Sequence, residues 1–178
     1  MGDPTTEKPR ACRAADGFIA AVGDATAWLV VVLVAAIIVQ VCLRYVFRWG
    51  IAWLDEFQWY LYAVVLMIAI SYGVVHEAHI RMDLLWGRLG PRAKAWIEIG
   101  GILLLLLPIV VVVTHHGWSL FVDSWRVNER SPAPTGMPWR WAVKVFIPIG
   151  GVLLGLAAVS RGIAQAAFLA RGRGHGAQ

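Results

Sequence analysis

ATAWLVVVLVAAIIVQVCL, residues 25–43, holds nineteen residues in a row without a charged side chain. At about 1.5 Å per residue, a helix of this length is roughly 28 Å long, close to the ~30 Å hydrocarbon core of a bilayer. A cleavable signal peptide has a shorter apolar region of about 7–15 residues. The stretch therefore predicts a transmembrane helix.

The composition of the whole chain agrees with a membrane location. Of its 178 residues, 59% are hydrophobic and 15% are charged, whereas soluble domains carry about 25% charged residues. The net charge of +5 comes from basic residues beside the apolar runs, where lysine and arginine act as orientation signals. The chain is therefore predicted to be an integral membrane protein that contacts membrane lipid and binds no nucleic acid.

Three further uncharged runs extend the pattern to four spans. Phe57–Val75 has nineteen such residues, and Ile99–Thr114 and Val145–Ser160 have sixteen each. The shorter runs can still cross a bilayer, because uncharged or snorkelling residues extend them. The prediction is an all-α integral membrane fold with four transmembrane helices. These helices are expected at about 22–44, 56–76, 96–118 and 142–162, within a membrane domain at 17–169 that lies between a polar cytoplasmic tail at 1–16 and a basic disordered tail at 170–178.

Lysine and arginine predict the orientation of these spans. With the N-terminus inside, the cytoplasmic segments hold ten basic residues and the outer loops hold six. The positive-inside rule then places both termini in the cytoplasm. Seven of the ten tryptophans fall at the outer ends of the spans, which is typical of an interfacial aromatic belt and also fits a docking surface for a partner outside.

The loop between spans two and three begins HEAHIRMDLL at residue 76 and predicts a short interfacial amphipathic helix over His79–Leu89. Its apolar residues, among them Trp86, are spaced for one face of a helix, and Arg81 lies on the opposite face. Its two histidines are three residues apart, whereas a zinc-protease helix needs them four apart. They are interpreted as residues of the turn into this helix, and His79 and Asp83 could also fix its angle against a partner.

Reaction chemistry is not predicted for this chain. Transporter sites are usually marked by ionisable residues near the middle of the bilayer, and the cores of the four predicted spans contain none. The polar residues deeper in the spans, Gln40 and Ser71, are interpreted as interhelical hydrogen-bonding groups. No catalytic residue, metal site or bound cofactor is therefore predicted, and the chain is not expected to be an enzyme.

Small residues and prolines in the spans are interpreted as packing features. The glycine pairs at 100–101 and 150–151, together with Gly155, are expected to permit close approach of helices. Pro108 and Pro148 are expected to kink their helices, because proline removes a backbone hydrogen bond. None of these residues predicts a substrate site.

A redox membrane anchor is the alternative function, because four-helix cytochromes hold haem between histidines on facing helices. His76 and His79 lie at the inner end of span two, whereas His115 and His116 lie at the outer end of span three. The two pairs are thus predicted on opposite faces of the membrane, too far apart to share an iron. An anchor subunit of a haem or quinone complex is kept as the alternative.

The acidic pair Asp55-Glu56 opens span two and has two interpretations. Acidic side chains in the first turn of a helix stabilise its dipole by about 0.3–1 kcal/mol each. The pair could equally form an acidic rim that binds Arg44 and Arg48 or a partner. The sequence leaves both interpretations open.

An ordered set of short motifs resembles the small membrane subunit of tripartite ATP-independent periplasmic (TRAP) transporters. The resemblance runs from about Gly17 to Gln165 and includes the four-span plan. One departure is conservative: Asp55 stands where the family often has a first glutamate. The motifs are Arg44-Tyr45-Val46-Phe47, Trp53-Leu54-Asp55-Glu56, His79-Ile80-Arg81-Met82-Asp83, Pro138-Trp139 and Pro148-Ile149-Gly150.

The resemblance implies a scaffold subunit in a bacterial inner membrane, with a large permease subunit and a periplasmic solute-binding receptor as partners. In that family the large subunit carries the sodium and substrate sites and moves them in an elevator motion, while the receptor delivers an organic acid. Sodium is therefore expected to bind the large subunit and not this chain. The residues expected at partner interfaces are Arg44, Arg48, Trp53, Asp55, Glu56, His79, Arg81, Asp83, Trp86, Pro138 and Trp139.

Overall fold

The computed structural model describes residues 10–76 and 90–171, and over these residues the chain forms helices joined by short connections. Helix α1 covers Arg10–Tyr45, and α2 covers Ala52–Val75. Both helices are longer than the hydrocarbon core requires, so their ends extend towards the polar surfaces of a membrane.

The third and fourth spans are each built from two helices. The third begins with α3 at Pro91–Gly101, passes through a wider π-helical turn at Ile102–Leu106, and ends with α4 at Leu107–Arg126. The fourth consists of a short α5 at Arg140–Lys144 and a long α6 at Phe146–Arg171. All four spans are long and apolar enough to cross a membrane, which confirms the predicted all-helical fold with four transmembrane helices.

The irregular turns lie beside the two prolines that were predicted to kink their helices. Proline has no backbone N–H, and its ring clashes with the carbonyl four residues earlier, which for Pro108 belongs to Leu104. In the π-helical turn the Leu107 N–H donates to the Ile102 carbonyl, five residues earlier. This wider turn makes room for the proline ring. In the fourth span, a turn separates α5 from α6 three residues before Pro148.

The start of α1 differs from the sequence-based boundary. Helix α1 begins at Arg10, inside the segment 1–16 that was assigned to a polar tail. Apolar burial explains the longer helix, because Cys12 is buried and Ile19 is fully enclosed by the core. The charged Arg13 is exposed. It therefore interrupts the apolar run in the sequence without interrupting the helix.

Helix α6 is the central helix, because it contacts every other span. In its span 33% of the most apolar stretch is buried, against 11% in the first and third spans. The core that α6 shares with α1 and α2 includes Ile19, Val64, Ile68, Leu153 and Ala157. Packing is therefore concentrated on α6, while α1 and α4 present broad apolar faces to their surroundings.

Glycine allows α6 to approach α2 and α4 closely. A Cβ atom added to Gly150 would lie 3.0 Å from the carbonyl oxygen of Met67, and one added to Gly155 would lie 3.1 Å from Val110. Gly100 and Gly101 differ, because a Cβ on either would meet nothing within 4 Å. The prediction of close packing is thus confirmed for α6 and wrong for the 100–101 pair, which faces open space.

The helices run alternately up and down, so the bundle has two distinct ends. The terminal end is where α1 and α3 begin and α2 and α6 finish. The hairpin end is opposite and carries the α1–α2 and α4–α5 connections. The interfacial helix predicted over His79–Leu89 lies outside the described residues, as does most of the predicted C-terminal tail.

Candidate partner-binding surface at the hairpin end

Glu56 fastens the α4–α5 connection to α2. Its Oε2 atom accepts a hydrogen bond from the Met137 backbone N–H at 2.7 Å, and its Oε1 atom accepts one from the Ser131 hydroxyl. Within the connection, the Ser131 N–H donates to the Met137 carbonyl at 3.2 Å, and the Ser131 hydroxyl accepts from the Ala133 N–H at 3.1 Å. A segment rich in proline thus acquires a defined shape from one carboxylate.

Asp55 binds the neighbouring helix and not a partner arginine. Its Oδ1 atom accepts a hydrogen bond from Gln40 Nε2 of α1 at 2.7 Å. One turn away, Gln58 Nε2 donates to the Ala36 carbonyl of α1 at 3.2 Å. Deeper in the bundle, the Ser71 hydroxyl donates to the Gly150 carbonyl of α6 at 3.3 Å. The interpretation of Gln40 and Ser71 as interhelical hydrogen-bonding groups is confirmed.

A second carboxylate, Glu129, holds the same connection from its other side. It forms ion pairs with Lys144 and with Arg140, whose Nε atom lies 3.6 Å from Oε1. Lys144 also donates to the Ser124 hydroxyl at 2.7 Å. The hydrogen bonds from Lys144 and from Ser124 lower the pKa of the Glu129 carboxyl. The carboxylate therefore stays ionised at neutral pH and keeps the connection attached to α4 and α5.

Basic and aromatic side chains point outward at this end. Arg44 and Arg48 are exposed, and so are Pro138 and Trp139. Trp53 is 47% exposed and Trp139 is 62% exposed. Exposed arginine and tryptophan are the residue types most enriched at the energetic centres of protein interfaces. The hairpin end therefore has the composition of a binding surface, and the carboxylates of Asp55, Glu56 and Glu129 bind groups within the protein.

A row of aromatic side chains continues from this surface down α4. Trp125 packs edge-on against Trp141 of α5, with ring centroids 4.3 Å apart, and Phe121 lies between Trp125 and Trp118. Trp118 and Trp125 are more than half exposed. Such a row is typical of the interfacial belt that anchors a membrane helix at the headgroup level.

The structure brings most of the predicted interface residues to one end of the bundle. Seven lie at the hairpin end, and four lie outside the described residues. Sequence reasoning missed Ser131, Glu129 and Lys144, whose bonds join positions far apart in the chain. A serine that directly precedes a proline-rich turn was the available signal, because serine often caps such turns. The seven are Arg44, Arg48, Trp53, Asp55, Glu56, Pro138 and Trp139, and the four are His79, Arg81, Asp83 and Trp86.

A different polar cluster joins three spans at the terminal end. Arg161 of α6 forms an ion pair with Glu98 of α3, and each side chain is only 15% exposed. Arg161 also donates from Nη1 to the Val74 carbonyl of α2 at 3.0 Å, and Gln165 donates to Glu98 at 2.7 Å. The carbonyl of Val74 lies in the last turn of its helix, where no backbone N–H within the helix reaches it. The cluster thus locks α2, α3 and α6 together.

The first helix is attached to this end by its own contacts. The Ser160 hydroxyl of α6 donates to Asp16 of α1 at 2.7 Å. The Tyr72 hydroxyl of α2 donates to Asp24 of α1 at 3.2 Å, and its ring stacks on His76 with centroids 4.0 Å apart. Every span therefore contributes a polar contact to the terminal end, none of which was predicted as a pair from the sequence.

The described histidines occupy two separate places. His76 lies at the end of α2 against Tyr72. His115 and His116 are neighbours on α4, with ring centroids 5.4 Å apart, and His116 Nδ1 lies 3.0 Å from the Val112 carbonyl of its own helix. Over residues 10–76 and 90–171, no three histidine, cysteine or acidic side chains come together in a geometry that could hold a metal ion.

An apolar groove runs along the side of the bundle, where α1 and α4 flank α6 without meeting over it. Its volume is about 830 Å³. Phe18 of α1, Val110 and Trp118 of α4, and Ile149 and Val152 of α6 are among the residues that line it. The groove is part of the lateral surface that a membrane protein offers to lipid or to another membrane subunit.

Comparison with known protein families identifies the family of this helical bundle. Residues 33–168 match the family described as tripartite ATP-independent periplasmic transporters, DctQ component. The chain belongs to this family. The match begins inside α1 and ends inside α6, so it includes part or all of every span of this DctQ component. It confirms the resemblance to the small membrane subunit of TRAP transporters.

Membership bears on the class of activity as well as on the fold. The family is a component of a transporter and not an enzyme family, and its four apolar helices indicate a multi-pass membrane protein. The matched range contains Glu56 and Ser131 at the hairpin end and Glu98 and Arg161 at the terminal end. No curated protein and no solved structure matches the chain.

Proposed function

We propose that this DctQ component is the small scaffold subunit of a sodium-coupled tripartite secondary transporter that imports an organic acid. In this proposal a large permease subunit carries the sodium and substrate sites, and a periplasmic receptor delivers the solute. The family match over residues 33–168 is the observation that carries the proposal. The transporter resides in the bacterial inner membrane.

A supporting role without a transport site fits the use of polar groups within the described spans. Gln40 donates to Asp55, and Ser71 donates to the Gly150 carbonyl, so both groups serve contacts between helices. A largely buried charge pair, Glu98 with Arg161, lies at the terminal end, where Arg161 also binds the Val74 carbonyl of α2. Polar residues used in this way stabilise helix packing in a membrane.

The proposed orientation places the terminal end in the cytoplasm and the hairpin end in the periplasm. The support is the greater number of basic residues in the segments that this orientation assigns to the cytoplasm. The receptor would then meet the hairpin end, where Glu56 and Glu129 give the α4–α5 connection a fixed shape. A surface fixed in advance loses less conformational entropy when a partner binds.

Co-purification tests the proposed assembly. The chain is expressed with an affinity tag alongside the genes that neighbour it, and the detergent extract is analysed by affinity and size-exclusion chromatography. The expected result is a stable complex with a much larger membrane protein. A chain that purifies alone and supports sodium-driven uptake by itself in vesicles would contradict the proposal.

A further inference from the structure

At the hairpin end, most acidic side chains bind other groups of the protein, whereas most basic side chains are exposed. Of the acidic side chains, Asp55, Glu56 and Glu129 form hydrogen bonds or ion pairs within the protein, and Asp123 is exposed. Of the basic side chains of the same end, Arg140 and Lys144 pair with Glu129, whereas four others form no such pair. Arg44, Arg48, Arg126 and Arg130 are all exposed, and none forms an ion pair with another described residue. We name these four residues the arginine rim.

We propose that the arginine rim is an electrostatic docking surface for an acidic face of the periplasmic receptor. This inference rests on the proposed function, because it presumes that the hairpin end faces the compartment of a soluble partner. Complementary charge between two surfaces accelerates their encounter and fixes their relative orientation. A receptor that must bind and leave in each transport cycle needs such fast, reversible association.

The side chains beside the rim supply the short-range part of the contact. Phe47 and Trp49 are each 69% exposed in the α1–α2 connection, and Trp139 is 62% exposed at the start of α5. Aromatic residues next to arginine are the usual anchors of protein interfaces. The rim would therefore steer an acidic partner, and the aromatic residues would hold it.

The backbone at Arg48 adopts a conformation that is unfavourable for an arginine. Arg48 has φ of 54°, in the left-handed region. For a residue other than glycine this conformation costs roughly 1–2 kcal/mol. Glycine or asparagine would adopt this backbone conformation at a lower cost in free energy. An exposed arginine in a strained turn is thus better explained by a contact outside the chain than by folding.

Basic residues on an outer connection also oppose the orientation signal of the chain. Lysine and arginine are normally concentrated on the cytoplasmic side, yet six lie in the segments assigned to the outside. The positive-inside rule therefore does not account for these outer basic residues.

The test measures receptor binding to the complete membrane complex. Wild-type complex of small and large subunits is placed in nanodiscs of phosphatidylcholine, and association of the purified receptor is followed at about 50 mM and about 500 mM salt, where screening differs strongly. Replacing Arg44, Arg48, Arg126 and Arg130 together by glutamine is expected to slow association about tenfold at low salt and to remove most of the salt dependence.

A matched variant with lysine at the same four positions keeps the charge and is expected to associate within about twofold of wild type. Removal of outer arginines reinforces the positive-inside bias, so inverted topology cannot explain a loss. Arg48→Gly alone relieves the strained backbone, so it is expected to preserve thermal stability while slowing association.

Three outcomes overturn the inference in different ways. Equal association rates for the glutamine and wild-type complexes would show that the rim does not steer the receptor. An effect that appears only when phosphatidylglycerol is added to the nanodiscs would identify lipid headgroups as the ligand. Absence of the large subunit from the wild-type preparation would contradict the proposed function itself, and with it the inference.

Discussion

The two ends of the bundle use the same kinds of charged residue for different purposes. At the terminal end, Glu98 and Arg161 face each other between helices and are each only 15% exposed. At the hairpin end, Glu56 and Glu129 hold a connection in place, and the arginine rim faces outward. Charged residues at the terminal end hold the spans together, whereas the hairpin end presents exposed arginines to its surroundings.

This difference follows from what each end must attach. The terminal end joins long helices whose apolar sides already meet, so a few polar bonds are enough to fix their ends. The hairpin end contains a connection of turn-forming residues with little apolar surface, and such a segment needs hydrogen bonds to keep one conformation. Glu56 supplies them through the Met137 N–H and the Ser131 hydroxyl.

The largest expected effect comes from breaking the charge pair at the terminal end. Arg161→Met removes a basic partner of Glu98 and the donor to the Val74 carbonyl. Loss of one member of a buried pair costs about 3–5 kcal/mol, and partial exposure places the expected cost near the lower limit. Thermal unfolding of the purified protein in detergent would measure the loss.

The matched control removes both charges. Arg161→Met combined with Glu98→Leu leaves no uncompensated carboxylate between the helices, so the double variant should be more stable than Arg161→Met alone. If the double variant is the less stable of the two, the two charges act independently, and the contrast between the ends loses its main support.

A smaller and more local effect is expected at Glu56. Glu56→Leu keeps a side chain of similar size but removes both acceptors, so the Met137 N–H and the Ser131 hydroxyl lose their partner. An unsatisfied polar group costs about 1–3 kcal/mol, and here it should loosen the connection without unfolding the bundle. Hydrogen exchange at the Met137 amide should accelerate.

Ser131→Ala is the control for this prediction, because it removes one bond to Glu56 and leaves the bond from the Met137 N–H. The Met137 amide should then stay protected. Unchanged exchange of that amide in Glu56→Leu would mean that other contacts shape the connection, and that the carboxylate has only the helix-dipole role.

The smallest effect is a pH dependence at the hairpin end. The Lys144 ammonium and the Ser124 hydroxyl lower the pKa of Glu129, so the ionised form stabilises the folded state. That contribution is present above the ordinary glutamate pKa of about 4.3 and is lost as the pH falls through the lowered pKa. Glu129 is partly exposed, so the contribution is expected to be below about 1 kcal/mol.

Comparison of wild type with Glu129→Gln isolates this titration from those of other carboxyl groups. The two proteins should differ in unfolding temperature at pH 7, and the difference should shrink as the pH falls below about 4. A difference that grows on acidification would reverse the sign and contradict the proposed ion pair.

The spans were predictable from the sequence because they depend on local composition. A run of nineteen predominantly apolar residues is long enough to cross the hydrocarbon core as a helix. Gln40 and Ser71 could be assigned to contacts between helices because a polar side chain in hydrocarbon needs a hydrogen-bond partner. The pairing of Glu98 with Arg161 was not predictable. It depends on how α3 and α6 are rotated towards each other, which composition does not determine.

The contacts of Asp55 and Glu56 also could not be predicted from the sequence. Asp55 and Glu56 are adjacent in the sequence and suggested one shared role, yet helical geometry separates neighbouring side chains by about 100°. Asp55 therefore turns to Gln40 of α1, and Glu56 turns to the α4–α5 connection. The arginines at positions 44 and 48, expected as possible partners of this pair, are left facing outward.

In the proposed function, this subunit supports transport without holding the transported ion or solute. Sodium-driven uptake in vesicles can be measured with the assembled complex carrying Gln40→Leu and Ser71→Ala in this subunit, with uptake normalised to the amount of complex. We expect an unchanged half-saturating sodium concentration and an unchanged apparent affinity for solute. A shift in either would show that polar groups of this chain contribute to the transport site.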